Sequence, residues 1–152
     1  MSLLLLLSAC TFAPVEGIWN LTVQTDTVWD CTLGSEYYAA GESWEMIVYW
    51  DNPIVSADLG HDPASDDCDY SEPDLNCTET RVNDYTGSVD AVITWVDELD
   101  VEFMSDSRFE GKLYTELYCE GSDCNDRALQ FAPSETATWP CMGETNVYAT
   151  PQ

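Results

Sequence analysis

The clearest chemistry in this chain is a crowd of carboxylates. Asp62, Asp66, Asp67 and Asp69 stand with Ser71 and Glu72 in one short stretch beside His61. Asp67-x-Asp69-x-Ser71 copies the opening of a calcium loop, where hard oxygen ligands alternate along the chain. The copy departs at the sixth position, Glu72 in place of glycine, and at the twelfth, Thr78 in place of glutamate. The four aspartates are a candidate Ca²⁺ site, set against the plainer reading of a solvated acidic loop. The other reactive groups point away from catalysis. His61 is the single histidine, no C-x-x-C pair exists, and zinc therefore lacks a ligand set. No G-x-S-x-G elbow, H-E-x-x-H helix or phosphate-cradling glycine loop is present. Carboxylate pairs carry no weight where 29 acidic residues create them by accident. The expectation is a protein that is not an enzyme and needs no cofactor beyond the candidate Ca²⁺.

Leu7-Ser8-Ala9-Cys10, directly behind the run Leu3 to Leu7, resembles the lipobox of bacterial lipoproteins. The resemblance implies cleavage before Cys10 and lipidation of that cysteine by acyl chains such as palmitate, which anchor the chain in a membrane. Thr11 follows the anchor, where an aspartate retains some lipoproteins in the inner membrane. The implied location is the bacterial outer membrane, facing the periplasm or the cell surface. The apolar run supports a targeting segment independently: five leucines end at small residues, with no charge before Glu16. It is too short to span a bilayer, which takes roughly 20 apolar residues. Met1-Ser2 carries no Lys or Arg, so the true start is expected upstream of Met1. The competing reading is an ordinary signal peptide cut after Ala13.

With Cys10 set aside, six of the 7 cysteines remain: Cys31, Cys68, Cys77, Cys119, Cys124 and Cys141. An even number in an exported chain reads as a disulfide framework, and six cysteines allow fifteen connectivities. Locality favours Cys119–Cys124 and Cys68–Cys77, which leaves Cys31–Cys141 to tie the ends of the domain together. The layout is a signal peptide over 1–9, a lipidated N-terminus and short tether over 10–16, and a single β domain over 17–152.

Composition is 45% hydrophobic and 12% aromatic, enough for a packed core despite a net charge of −25. That charge repels phosphate backbones and anionic headgroups. Nucleic acid is excluded as a partner, and membrane attachment falls to the lipid anchor. A solvated surface explains the acidity most simply, and recognition of a basic protein partner is the functional alternative.

The elements that must carry these residues are strands. Trp19, Leu21 and Val23 alternate with polar residues, as do Trp44, Met46, Val48 and Trp50 within 43–51. A three-strand meander is predicted from Ser88 to Cys119. It has Val89, Ala91, Ile93 and Trp95 on one face, a turn near Asp97-Glu98, then Leu99, Val101 and Phe103 inward. Its third strand points Phe109, Gly111, Leu113, Thr115 and Leu117 inward, and Arg108, Glu110, Lys112, Tyr114, Glu116 and Tyr118 outward. Weaker strands are predicted over 28–33, 76–82 and 145–150, a loop over 58–75 and a short helix over 125–131.

These short strands predict an all-β fold, either a small antiparallel barrel or a β-sandwich, stapled by disulfides. Gly17-Ile18-Trp19 resembles the G-x-W signature of lipocalins, and Asn83-Asp84-Tyr85 resembles that family's T-D-Y loop. The resemblance implies a barrel in which Gly17 turns the chain into strand one and Trp19 plugs the closed end. It also implies an arginine stacked on Trp19, with Arg108 and Arg127 as candidates. Trp19, Trp44, Trp50 and Trp95 fall on apolar-periodic positions, so core packing explains them, with the lining of an apolar ligand cavity as the alternative. The functional expectation is a non-catalytic structural or interaction module of the cell envelope. Its alternatives are a lipocalin-like carrier of a small apolar ligand and a calcium-binding acidic surface module.

Overall fold

The computed structural model describes residues 13–31, 38–51, 54–58, 67–128 and 138–152. Only the backbone is described for Trp50, Asp51, residues 54–58, Asp67, Arg127 and Ala128. The described chain is almost entirely strand: β1 (Gly17–Val23), β2 (Val28–Trp29), β3 (Ser43–Asp51), β4 (Ile54–Asp58), β5 (Asp67–Ser71), β6 (Asp74–Asp84), β7 (Val92–Ser105), β8 (Arg108–Glu120) and β9 (Cys141–Pro151). One short helix, α1 (Cys124–Ala128), interrupts the series, and no described helix is long and apolar enough to cross a membrane.

All pairings are antiparallel, in the order β4-β3-β1-β9-β8-β7-β6-β5, with β2 continuing past β1 along the edge of β9. The ends of this path, β4 and β5, lie in contact, so the sheet curls round into a barrel-like form. Its inner face follows from period-two alternation. Ile93, Trp95, Leu99, Val101 and Phe103 on β7 point inward with Phe109, Leu113 and Leu117 on β8. Cys141, Val147 and Ala149 on β9 join them. Gly17 opens β1 at φ 134°, a conformation that side-chain-bearing residues rarely adopt.

The three disulfides join Cys31 to Cys141, Cys68 to Cys77 and Cys119 to Cys124. The first fastens the end of the β2 segment to the start of β9, 110 residues away. The second bridges directly opposed residues of β5 and β6, and the third closes the turn between β8 and α1.

Three expectations about local structure are corrected. No turn interrupts Asp97-Glu98: β7 is one strand of 14 residues, and the predicted meander is a long β7–β8 hairpin. The period of two runs unbroken through residue 97, and Asp97 faces the interior. The predicted loop over 58–75 contains β5, because pairing with β6 overrides the turn-forming composition of the segment. Finally, β9 begins at Cys141, four residues earlier than predicted, where its partner Leu117 still lies on β8.

Candidate functional site

The interior is divided by a row of polar residues. Glu79, Asp97, Thr115 and Gly143 are consecutive cross-strand partners on β6, β7, β8 and β9, and Trp29 on β2 ends the row opposite Gly143. On one side lies a large apolar cluster that includes Trp19, Leu21, Leu75, Leu99, Phe103 and Phe109. On the other lies a smaller one around Ile93, Trp95, Leu117 and Cys141, with Trp29, Tyr85 and Trp139 against it.

Glu79, Asp97 and Thr115 are buried, with 1%, 2% and 2% of their surface exposed. Charged groups at such depth persist only with partners. Arg81 enters from β6 and donates through Nη2 to Asp97 Oδ2 at 2.7 Å, while its Nε lies 3.6 Å from Glu79 Oε1. The Thr115 hydroxyl donates to the other oxygen of Asp97 at 2.5 Å. The guanidinium sits 5.5 Å from the ring centre of Trp95, within cation–π range. Burial pulls the Arg81 pKa down. The hydrogen bond and charge of Asp97, with the charges of Tyr38 and Glu79, outweigh burial and lift it above the ordinary arginine value. The group thus stays cationic and links β6 to β7 through Asp97, which Thr115 on β8 also holds. Gly143 completes the row, since a Cβ there would stand 2.8 Å from ring atoms of Trp29. That glycine makes room for the indole.

Of the four tryptophans expected to pack in the core, or alternatively to line an apolar cavity, the three whose side chains are described are spread out. Trp19 is wholly buried, donates its indole N–H to Val15 O at 2.8 Å and stacks on Phe109 at 5.5 Å with 13° between planes. Phe109 therefore takes the stacking position considered for an arginine. The Arg108 guanidinium instead lies 4.8 Å over Tyr148, and the Arg127 side chain is outside the described residues. Trp44 is half-buried beside Tyr38, 5.1 Å between ring centres. Trp95 belongs to the smaller cluster, across the polar row from Trp19, and the Trp50 side chain is not among those described. Asp84 of the Asn83-Asp84-Tyr85 segment caps a turn, accepting from the backbone N–H and hydroxyl of Thr86.

Of the candidate calcium ligands, Asp62 and Asp66 lie outside the described residues, as do Cys10 and His61. Asp67 and Asp69 are in β5, with Asp69 exposed. An extended strand spaces alternate residues by roughly 6–7 Å. A calcium loop instead coils its ligands around one ion at about 2.3–2.6 Å. The Asp67-x-Asp69-x-Ser71 segment is not coiled in that way. Asp30, Cys31 and Cys141 have ligand atoms near one another, but the two sulfurs are bonded to each other.

The outer face of β7–β9 is acidic. Glu98, Asp100 and Glu102 point outward from β7, and Glu110, Glu116 and Glu120 from β8. The cations on this face are already paired, Arg108 with Glu110 and Lys112 with Glu144. No protein-family model matches the chain, and no curated protein or solved structure matches it.

Of this row the sequence alone places only Thr115 inward, because a charged residue at an inward position looks like a break in the apolar pattern. The available signal was phase: residues 93, 95, 97, 99 and 101 keep one parity, as do 75, 77 and 79.

Proposed function

We propose that this protein is a lipid-anchored, exported interaction module of the bacterial cell envelope, without catalytic activity, acting through the outer surface of its β domain. The observation that carries the reading is the division of labour between the two faces of the sheet. Inside, the carboxyls suited to acid–base work, Asp97 and Glu79, are engaged by Arg81, with Thr115 also on Asp97. Outside, carboxylates outnumber the cations that could neutralise them. The Leu7-Ser8-Ala9-Cys10 lipobox resemblance supplies the anchor. Three disulfides suit an oxidising compartment. Expression of the full chain and of Cys10→Ser in a bacterial host tests the anchor. The parent should partition with membranes and incorporate labelled palmitate, and the variant should do neither.

A second reading, a lipocalin-like carrier of a small apolar ligand, is favoured by one feature. The sheet curls round with β1 between β9 and β3, and Trp19 packs against Phe103 and Phe109 in its interior. Saturable, one-to-one binding of an apolar fluorescent probe that quenches tryptophan emission would promote the carrier over the interaction module.

A further inference from the structure

The acidic face is not uniformly acidic. Register places Val96, Glu116 and Met142 side by side on β7, β8 and β9. The adjacent row holds Glu98, Tyr114, Glu144 and Val28, reaching β2. Within these two rows, apolar and acidic side chains alternate across the strands and from one row to the next. Two grooves, about 460 and 360 Å³, lie along these rows and share Tyr114, Met142 and Gly143 in their walls. Val28 is 74% exposed and Met142 49%, the latter on a strand that elsewhere turns polar groups outward. Single exposed apolar residues are ordinary, but a contiguous set rimmed by charge marks a contact surface. Asp30, Glu98, Asp100, Glu116 and Glu144 rim these grooves, and Lys112 is held by Glu144.

We propose that this checkerboard is the docking surface for a basic, amphipathic segment of another protein, whose lysines or arginines meet the carboxylates and whose apolar side chains fill the grooves. Charge selects this occupant. A second copy of the chain brings another −25, and an anionic lipid surface is repelled in the same way. A cationic segment is drawn in, and its alternating apolar residues find Val28, Tyr114, Met142 and Val96 between the acids. The four strands span roughly 15 Å at the usual inter-strand spacing, room for about four or five extended residues. The proposal deepens the interaction-module reading and rests on it. Loss of the anchor at Cys10 would leave the peptide binding intact, so the two fail separately.

The test measures binding of two labelled probes to the full chain by fluorescence anisotropy: a peptide alternating lysine and leucine, and an oligolysine of equal charge. The lysine–leucine peptide should bind more tightly, and raising the salt should weaken both. Val28→Ser with Met142→Ser, both exposed, should weaken the lysine–leucine peptide about tenfold and leave oligolysine unchanged. Glu98→Gln with Glu116→Gln should weaken both probes, while the distant pair Glu16→Gln with Glu45→Gln, both exposed and off this face, should weaken neither comparably. Thermal melts confirm that each variant is folded, and Tyr114→Ala provides a second apolar truncation if one pair is not. Equal binding of the peptide to parent and serine variant, or equal losses from the near and distant charge changes, would overturn the proposal. So would dimerisation of the parent that the serine variant abolishes, which would assign the face to a second copy.

Discussion

Asp97 stands directly opposite Glu79 across the β6–β7 ladder, both buried, and Arg81 reaches the two carboxyl groups from two positions beyond Glu79. Two acidic partners inside a sheet repel one another unless a cation joins them. Arg81 is what makes the pairing tolerable, and the row it stabilises holds three strands in register between two apolar clusters.

Replacing Arg81 with Met keeps much of the side-chain stem while removing the charge. Leaving a buried ionic group without its partner typically costs about 3–5 kcal/mol. Urea unfolding of Arg81→Met should show a loss in that range. The double variant Arg81→Met with Asp97→Asn should recover part of it. An unchanged midpoint in the single variant would mean the guanidinium contributes nothing to the fold.

The disulfides should differ in worth. A cross-link that closes a longer loop restrains the unfolded chain more: about 5 kcal/mol for a loop of the Cys31–Cys141 size and about 2.5 for one of the Cys68–Cys77 size. Paired Cys→Ser variants compared by denaturant unfolding should rank in that order. The reverse ranking would show that local geometry outweighs chain entropy here.

Much of this architecture is legible in the residues, and the gaps have physical causes. The inward set from Phe109 to Leu117 reads directly, because nothing breaks its period of two. Among fifteen possible connectivities, locality favours the disulfide pairs that the structure shows, though it does not fix them. Asp97 reads as part of a turn in the sequence, because a lone carboxylate between Trp95 and Leu99 looks like an exit from the core and its partners lie far away in the chain. β5 was hidden by aspartates and prolines that favour turns until β6 pairs with them. The checkerboard depends on which residues of four strands become neighbours, which alternation within one strand cannot reveal.

Acid should loosen one corner before the rest. Asp90 accepts the backbone N–H of Ser122, while Asp123 accepts that of Asp90, tying the turn before β7 to the turn after β8. The backbone hydrogen bond of Ser122, followed by its side-chain bond, holds the Asp90 pKa below the usual carboxylate range. A lowered folded-state pKa means the stabilisation is present above the unfolded value and lost as pH falls through the folded one. Amide exchange around 88–91 and 121–124, taken relative to the intrinsic rate at each pH, should therefore accelerate below about pH 4, the unfolded aspartate range, and Asp90→Asn should remove that acceleration. Protection that stays constant down to about pH 2 would refute the assignment.

Trp19 should behave as a packing residue. Its indole is enclosed by Phe103 and Phe109 and satisfied by Val15, so Trp19→Ala should cost about 3–5 kcal/mol. Apolar probes should not raise the melting temperature of the parent. A probe that did so saturably would move the weight to the carrier reading.

Export of the chain and its anchoring by lipid on Cys10, as proposed, would leave the β domain free to bind. Intact mass spectrometry of the mature N-terminus, on protein extracted from bacterial membranes, tests it most directly. The account predicts a chain that begins at Cys10 and carries acyl chains on it. An unlipidated chain beginning at Pro14 would contradict it.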